Sequence, residues 1–207
     1  GNCFTSQKIN SKKFNKVLMN PPFALKKGDE KEFKFIDYGL SKLETNGLLF
    51  AIIPNSIMTS RSELHWRKKM LTENSLLASI KLPDDLFYPV AVCTVAILIK
   101  KGIPHNFDEN VFFADLNDGY EKKKSVMIKK SEGNIESVER KMVEFLNSKK
   151  ENNQAKEIIT CPIINDKFLE CCPERYLPED WKLFNEKNIT TEMEKIIKNL
   201  LGYKINN

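Results

Sequence analysis

The run Val17-Leu18-Met19, followed at once by Asn20-Pro21-Pro22-Phe23, constrains this chain more than any other stretch. Three apolar residues ending on a breaker predict a short buried strand. The residue before a proline is driven out of the α region, so Asn20 and Pro21 must stay extended or turn. Neither Pro21 nor Pro22 has an amide to donate. A strand that stops this way ends in a stiff corner showing an amide side chain, a bare carbonyl and an aromatic ring.

Those groups suit the amino group of a nucleobase. Such a nitrogen is a poor nucleophile, because its lone pair is delocalised into the ring. The Asn20 side-chain oxygen and the Pro21 carbonyl can each accept one of its N–H bonds. They hold the nitrogen and favour the positive charge that grows as it attacks an electrophile. Phe23 can stack on the base, a contact worth about 1–3 kcal/mol. The plain alternative is a turn between a strand and a loop, since Asn and Pro are ordinary turn formers.

With 207 residues, 41% of them hydrophobic and 29% charged, the chain has the composition of a globular protein of one large domain, or a domain with an appendage. A formal net charge of +5 is compatible with a polyanionic partner. No run of about 18 apolar residues occurs, so no membrane span is expected. Five cysteines without a CxxC pair, and only two histidines (His65 and His105), predict reduced thiols, no metal site and a cytoplasmic setting. No Gly-x-Ser-x-Gly elbow points to a serine hydrolase.

After the corner, Ala24 to Lys31 reads as a loop. Phe33, Ile36, Leu40 and Leu43 form one helical stripe, closed by Asn46-Gly47 as a C-terminal cap. Leu48 to Ile53 predicts a strand buried on both faces, stopping at a second corner, Pro54-Asn55-Ser56. A helix over 62–73 would turn Leu64, Met70 and Leu71 inward and Arg67, Lys68 and Lys69 outward. Strands are expected over 77–82, 92–99 and 111–115. The link between the first two is too short for a parallel crossover, so they should pair antiparallel or be offset. Further on, a lysine-dense stretch (Lys122 to Lys130), an amphipathic helix from Ile135 to Phe145 capped by Asn134, a polar linker over 149–156, a strand near 158–164 and a last helix from Thr191 to Leu201 are predicted. The pattern is α/β: a partial doubly wound, Rossmann-like sheet, mostly parallel with a late antiparallel strand. Residues 1–130 would form that domain and 131–207 a mainly helical C-terminal extension.

Met19-Asn20-Pro21-Pro22-Phe23, then Gly47-Leu48-Leu49-Phe50-Ala51-Ile52-Ile53-Pro54-Asn55-Ser56, then Lys81-Leu82-Pro83-Asp84-Asp85-Leu86-Phe87, in that order, resemble adenine-specific (N6) DNA methyltransferases. The likeness is to modification subunits of type I restriction–modification systems and to related fused restriction–methylation enzymes. It runs from about Asn2 to Met127, and Glu174-Arg175-Tyr176-Leu177-Pro178-Glu179 resembles a segment beyond the catalytic domain. The resemblance implies that Asn20, Pro21, Pro22 and Phe23 bind a flipped adenine, extruded because its amino nitrogen is out of reach inside a duplex. It implies that Pro54, Asn55 and Ser56 line the same cleft, although Asn55 and Ser56 are equally suited to capping a helix.

The resemblance also implies S-adenosylmethionine, held by a glycine-rich loop after a first strand. This sequence has no Gly-x-Gly, and only Asn2 stands in a comparable position on the cofactor side. The chain is therefore expected to be the back half of a catalytic domain: inactive alone, not binding the cofactor alone, and completed by an N-terminal half. Other implied partners are DNA and a specificity subunit or domain, in a prokaryotic cytoplasm. Without its neighbour, the strand at Val17–Met19 becomes an apolar edge that the chain is expected to cover by self-association or with its own terminal segment. Two other readings stay open. One is a non-catalytic DNA-binding or subunit-contact module using the Lys122–Lys130 stretch; the other is a methyltransferase for a glutamine amide or RNA base.

Overall fold

The computed structural model describes residues 4, 12–24, 26, 28–84, 86–87, 92–123, 126–129, 133–148, 156–178 and 193. Asn2 and the linker up to residue 155 lie outside these residues, as does the last expected helix apart from Met193, which is helical. The chain divides into two units, Gly1–Leu177 and Pro178–Asn207.

The first unit is built on β1 (Phe14–Met19), β2 (Leu43–Pro54), β3 (Asn74–Lys81), β4 (Thr94–Lys101), β5 (Asn110–Asp115) and β8 (Ile158–Pro162), in spatial order β1-β2-β4-β3-β5-β8. β1 pairs with β2 and β3 with β5 in parallel, whereas β4 and β8 run against their neighbours. Four of the six strands therefore share one direction, and the reversed β4 follows β3 through the short link, as expected. Tyr120–Lys123 (β6) and Val126–Lys129 (β7) make a separate antiparallel hairpin within the lysine-dense stretch.

Alternation along the strands builds two cores. Leu49, Ala51, Ile53, Val95, Ile97, Ile99, Val111 and Phe113 point to one face. Helices α1 (Glu32–Lys42), α2 (Ser56–Thr59) and α3 (Leu64–Glu73) cover it with Ile36, Leu40, Met58, Trp66 and Met70. On the other face, Ala96, Leu98, Phe112 and Ala114 pack under Val138 and Phe145 of α4 (Ile135–Ser148). Each large apolar side chain so buried contributes about 1.5–3 kcal/mol. Gly39 lets α1 lie close on β1, because a Cβ there would run into Met19 and Leu49.

Four expectations are corrected. Helix α1 ends at Lys42, and Leu43 already opens β2. Asn46 takes φ +67 inside that strand, where the β1 register jumps from Phe14↔Leu43 to Lys16↔Leu48. Asn-Gly tolerates a left-handed step in a bulge as readily as in a cap. Second, Arg67 is fully buried instead of exposed. Third, the Asn134 side chain does not cap α4. It accepts from the Asn117 amide and donates to the Asp115 carbonyl, while Asp118 accepts from the amides of Asn134 and Ile135. Fourth, residue 130 marks no boundary of a compact unit. α4 packs on the sheet through Phe145 against Phe112, and β8 extends it beside β5.

Burial of Arg67 is tolerable because its guanidinium is saturated. It donates to the carbonyls of Ile57, Thr59, Ser60, Phe168 and Leu169 at 2.9–3.4 Å. Desolvation holds its pKa below the usual arginine value, partly countered by Cys171 and Glu170. Arg67→Met should lower the unfolding free energy by about 3 kcal/mol or more, since each buried acceptor left unpaired costs about 1–3 kcal/mol. Urea denaturation checks this, and a loss below about 1 kcal/mol would contradict the role given to the guanidinium.

Candidate functional site

The carboxyl ends of β1, β2, β3 and β5 share one rim of the sheet, and the reversed β4 starts there. In open α/β sheets this is the end at which ligands bind. Asn20 follows β1 directly and is exposed, Pro21 is buried, Pro22 is exposed and Phe23 is half-buried. Phe87, in the link between β3 and β4, meets Phe23 edge to face at 5.1 Å and 71°. Such a pair is a favourable ring geometry, and it joins the first corner to a loop distant in sequence. Behind the corner, the Ala24 amide donates to Glu32 Oε1 at 2.6 Å.

The second corner stands at the end of the adjacent strand. Pro54 is buried, Asn55 half-buried and Ser56 exposed. The Asn55 amide donates to the Cys93 carbonyl at 2.8 Å, and Asn55 Nδ2 donates to Glu174 Oε1 at 3.1 Å. Asn55 occupies the N-cap position of α2, yet its side chain makes no cap hydrogen bond. Its Oδ1 is buried without a partner among the described residues. Glu174 belongs to the segment whose likeness is to a region beyond the catalytic domain, and the part of it around Arg175 and Tyr176 is tied to the sheet and its flanking loop. Tyr176 stacks on Phe113 at 4.1 Å and donates to the Glu170 carbonyl, while Arg175 binds Asp166 at 2.6 Å.

Lys81 lies 4.0 Å from Asp115 and 3.9 Å from Glu174. Burial pushes the Asp115 carboxyl above the usual range, while Lys81 pulls it back. Asp84 is close enough to raise it further, and it raises the Cys93 thiol as well, beside the effect of burial. Three carboxylates around one ammonium make this part of the rim acidic, suited to uncharged or cationic groups and not to a phosphate. Among the described residues, no group of three His, Cys, Asp or Glu side chains could hold a metal ion. No helix among them is long and apolar enough to cross a membrane.

Sequence reasoning locates both corners and misses what braces them. Phe87 lies in the third of the blocks that carry the family likeness, with no role attached to it. Glu32, Arg67 and Glu174 carry no local signal: Glu32 bonds across a loop to Ala24, and Arg67 and Glu174 also reach residues more than 100 positions away.

A family model described as N-6 DNA Methylase matches residues 1–182. The type II restriction enzyme and methyltransferase RM.BcgI of Heyndrickxia coagulans is 34% identical over 125 residues, 56% of this chain and 20% of that protein. A type I restriction–modification methyltransferase subunit from Streptococcus thermophilus matches with a TM-score of 0.59 at 22% identity, covering 84% of this chain and 40% of its own. A chain from a structure of a type I restriction–modification system matches with a TM-score of 0.55 at 15% identity, covering 94% and 46%. The chain thus spans a fifth of the curated relative and under half of these two solved chains, whose likeness speaks for the fold.

The rim also sets thiol reactivity. Cys93 is exposed, whereas Cys171 and Cys172 are buried, with burial pushing their thiols up to about 12 and about 11; half-buried Cys161 also rises to about 11. Iodoacetamide at mildly alkaline pH should therefore label Cys93 first among these four and leave Cys171 and Cys172 intact until unfolding. Peptide mass mapping over time checks this; labelling of Cys171 at the Cys93 rate would contradict it.

Proposed function

This chain belongs to the N-6 DNA methylase family, and on that premise we propose that it forms the adenine-binding part of an S-adenosylmethionine-dependent DNA adenine methyltransferase of a restriction–modification system. The observation that carries the reading is the exposed Asn20 at the end of β1, beside the Phe23–Phe87 ring pair. Asn20 Oδ1 and the Pro21 carbonyl accept the two N–H bonds of the adenine amino group, an arrangement in place before any charge develops. Phe23 stacks on the extruded base, and Phe87 braces that ring edge-on. Pro22 stiffens the turn; S-adenosylmethionine, when held by the full-length enzyme, would supply the methyl group and leave as a thioether, and the amino proton would then pass to water, so no strong base is required. Pro54, Asn55 and Ser56 flank the base from β2, with Glu174 fixing the Asn55 amide.

The cofactor's own cradle does not fit the described residues. A Cβ on Gly39, Gly47 or Gly133 would run into neighbouring protein atoms, and Gly28 and Gly102 take φ +104 and +77. Gly119 lines a mainly apolar cleft with Ile52, Leu82 and Leu116, and none of these glycines belongs to a Gly-x-Gly run. This chain alone is therefore proposed not to hold S-adenosylmethionine. The proposed partners are DNA, a specificity subunit or domain, and further methyltransferase residues, in a bacterial cytoplasm. Among the described strands β1 is the edge of the sheet, so Leu18 is 78% exposed and no residue of the strand is buried, contrary to what its apolar run predicts. That edge is suited to receive one more strand, from the rest of a longer protein or from a second chain.

In the full-length enzyme, Asn20→Ala should cut methyl transfer by about 100-fold or more while S-adenosylmethionine still binds. Radiolabelled methylation alongside calorimetry reads both, and activity within a few-fold of wild type would remove Asn20 from its role. Calorimetry of this chain with S-adenosylmethionine should show no binding heat. Micromolar affinity would mean that the cofactor site lies within it.

A further inference from the structure

The corner at Asn20 needs support on both sides, and β1 supplies only the entry. On the exit side the first described anchor is the Ala24 amide, whose acceptor is Glu32 Oε1 at 2.6 Å. The described residues between them, 26 and 28–31, are exposed, with the Asp29 amide donating to the Lys26 carbonyl and Gly28 at φ +104. Glu32 is different: it is the first residue of α1 and only 4% exposed. A carboxylate in the first helical turn is favoured by the helix dipole, and an ionised acceptor makes a stronger bond to an amide than a neutral one. The helix that carries it is itself fixed on β1 and β2, with Ile36 fully buried and Gly39 against Met19 and Leu49.

We propose that Glu32 is a positioning residue. By holding the Ala24 amide, it clamps the exit of the corner to the helix packed on the strand that forms its entry, and so sets the Phe23 ring against Phe87. The link to an extruded adenine rests on the function proposed above; the clamp on Phe23 does not. Reach, more than charge, decides the effect. Glutamine keeps an oxygen acceptor at the same distance from the helix, whereas aspartate keeps the charge but is one methylene too short.

The test compares Glu32→Gln with Glu32→Asp in the isotope-labelled chain, reading Ala24 amide exchange and the nuclear Overhauser contact between the Phe23 and Phe87 rings. The E32Q protein should retain both. The E32D protein should lose the ring contact and exchange at Ala24 at least about tenfold faster, with its far-ultraviolet dichroism unchanged. The reverse pattern, E32D normal and E32Q impaired, would mean that only the charge at the helix start matters and would overturn the clamp, as would two normal variants. Should E32D fail to fold, a normal ring contact and protected Ala24 in Glu32→Ala would overturn it equally. In the full-length enzyme, E32D should raise KM for DNA with cofactor affinity unchanged. An altered ring contact without that change would count against the adenine reading and leave the clamp standing.

Discussion

A single guanidinium ties the parts of this molecule together. Arg67 sits on α3 and donates to carbonyls in the turn after β2 and in the segment beyond β8. Irregular backbone at a sheet rim would otherwise bury carbonyls without partners, which is costly. Arginine answers this better than lysine would, because its planar fork offers several donors in fixed directions. The Cys171 amide adds a further tie, donating to the Met58 carbonyl at 3.0 Å. As a result the Pro54 corner, the rim and the Glu174 segment hold together as one piece.

On that frame the first corner works by subtraction. Two successive prolines remove two amides and restrict the backbone, so the carbonyl and side-chain oxygens at the end of β1 stay free to accept. Around it the chain places rings and carboxylates on different parts of the rim: Phe23 with Phe87 near the end of β1, and Asp84, Asp115 and Glu174 about Lys81. An uncharged base is a more suitable guest for such a surface than a phosphate.

What can be read from the sequence is local. Apolar runs ending at Met19, Pro54 and Lys81 locate three strand ends, because breakers follow them immediately. The short link before Thr94 forces a reversed strand by length alone. Arg67 misleads because helical periodicity assigns an arginine beside two lysines to solvent, whereas its acceptors at Phe168 and Leu169 lie far along the chain. Asn46-Gly47 misleads because the same dipeptide serves caps and bulges. The pairing of Phe23 with Phe87 and the bond from Ala24 to Glu32 are products of folding, with no periodic or compositional trace. Family likeness locates the corner itself, and only the folded structure reveals what steadies it.

On the proposed reading, an adenine lifted out of a helix stacks on the Phe23 ring, with Phe87 edge-on beside that ring and the adenine amino group at Asn20. The most direct measurement is an NMR titration of the labelled protein with an oligonucleotide carrying one bulged adenine. Ring-current shifts on both phenylalanines and contacts from the adenine H2 or H8 proton to those rings are the predicted result. Saturable binding that perturbs only the β6–β7 hairpin, leaving both rings unchanged, would contradict it.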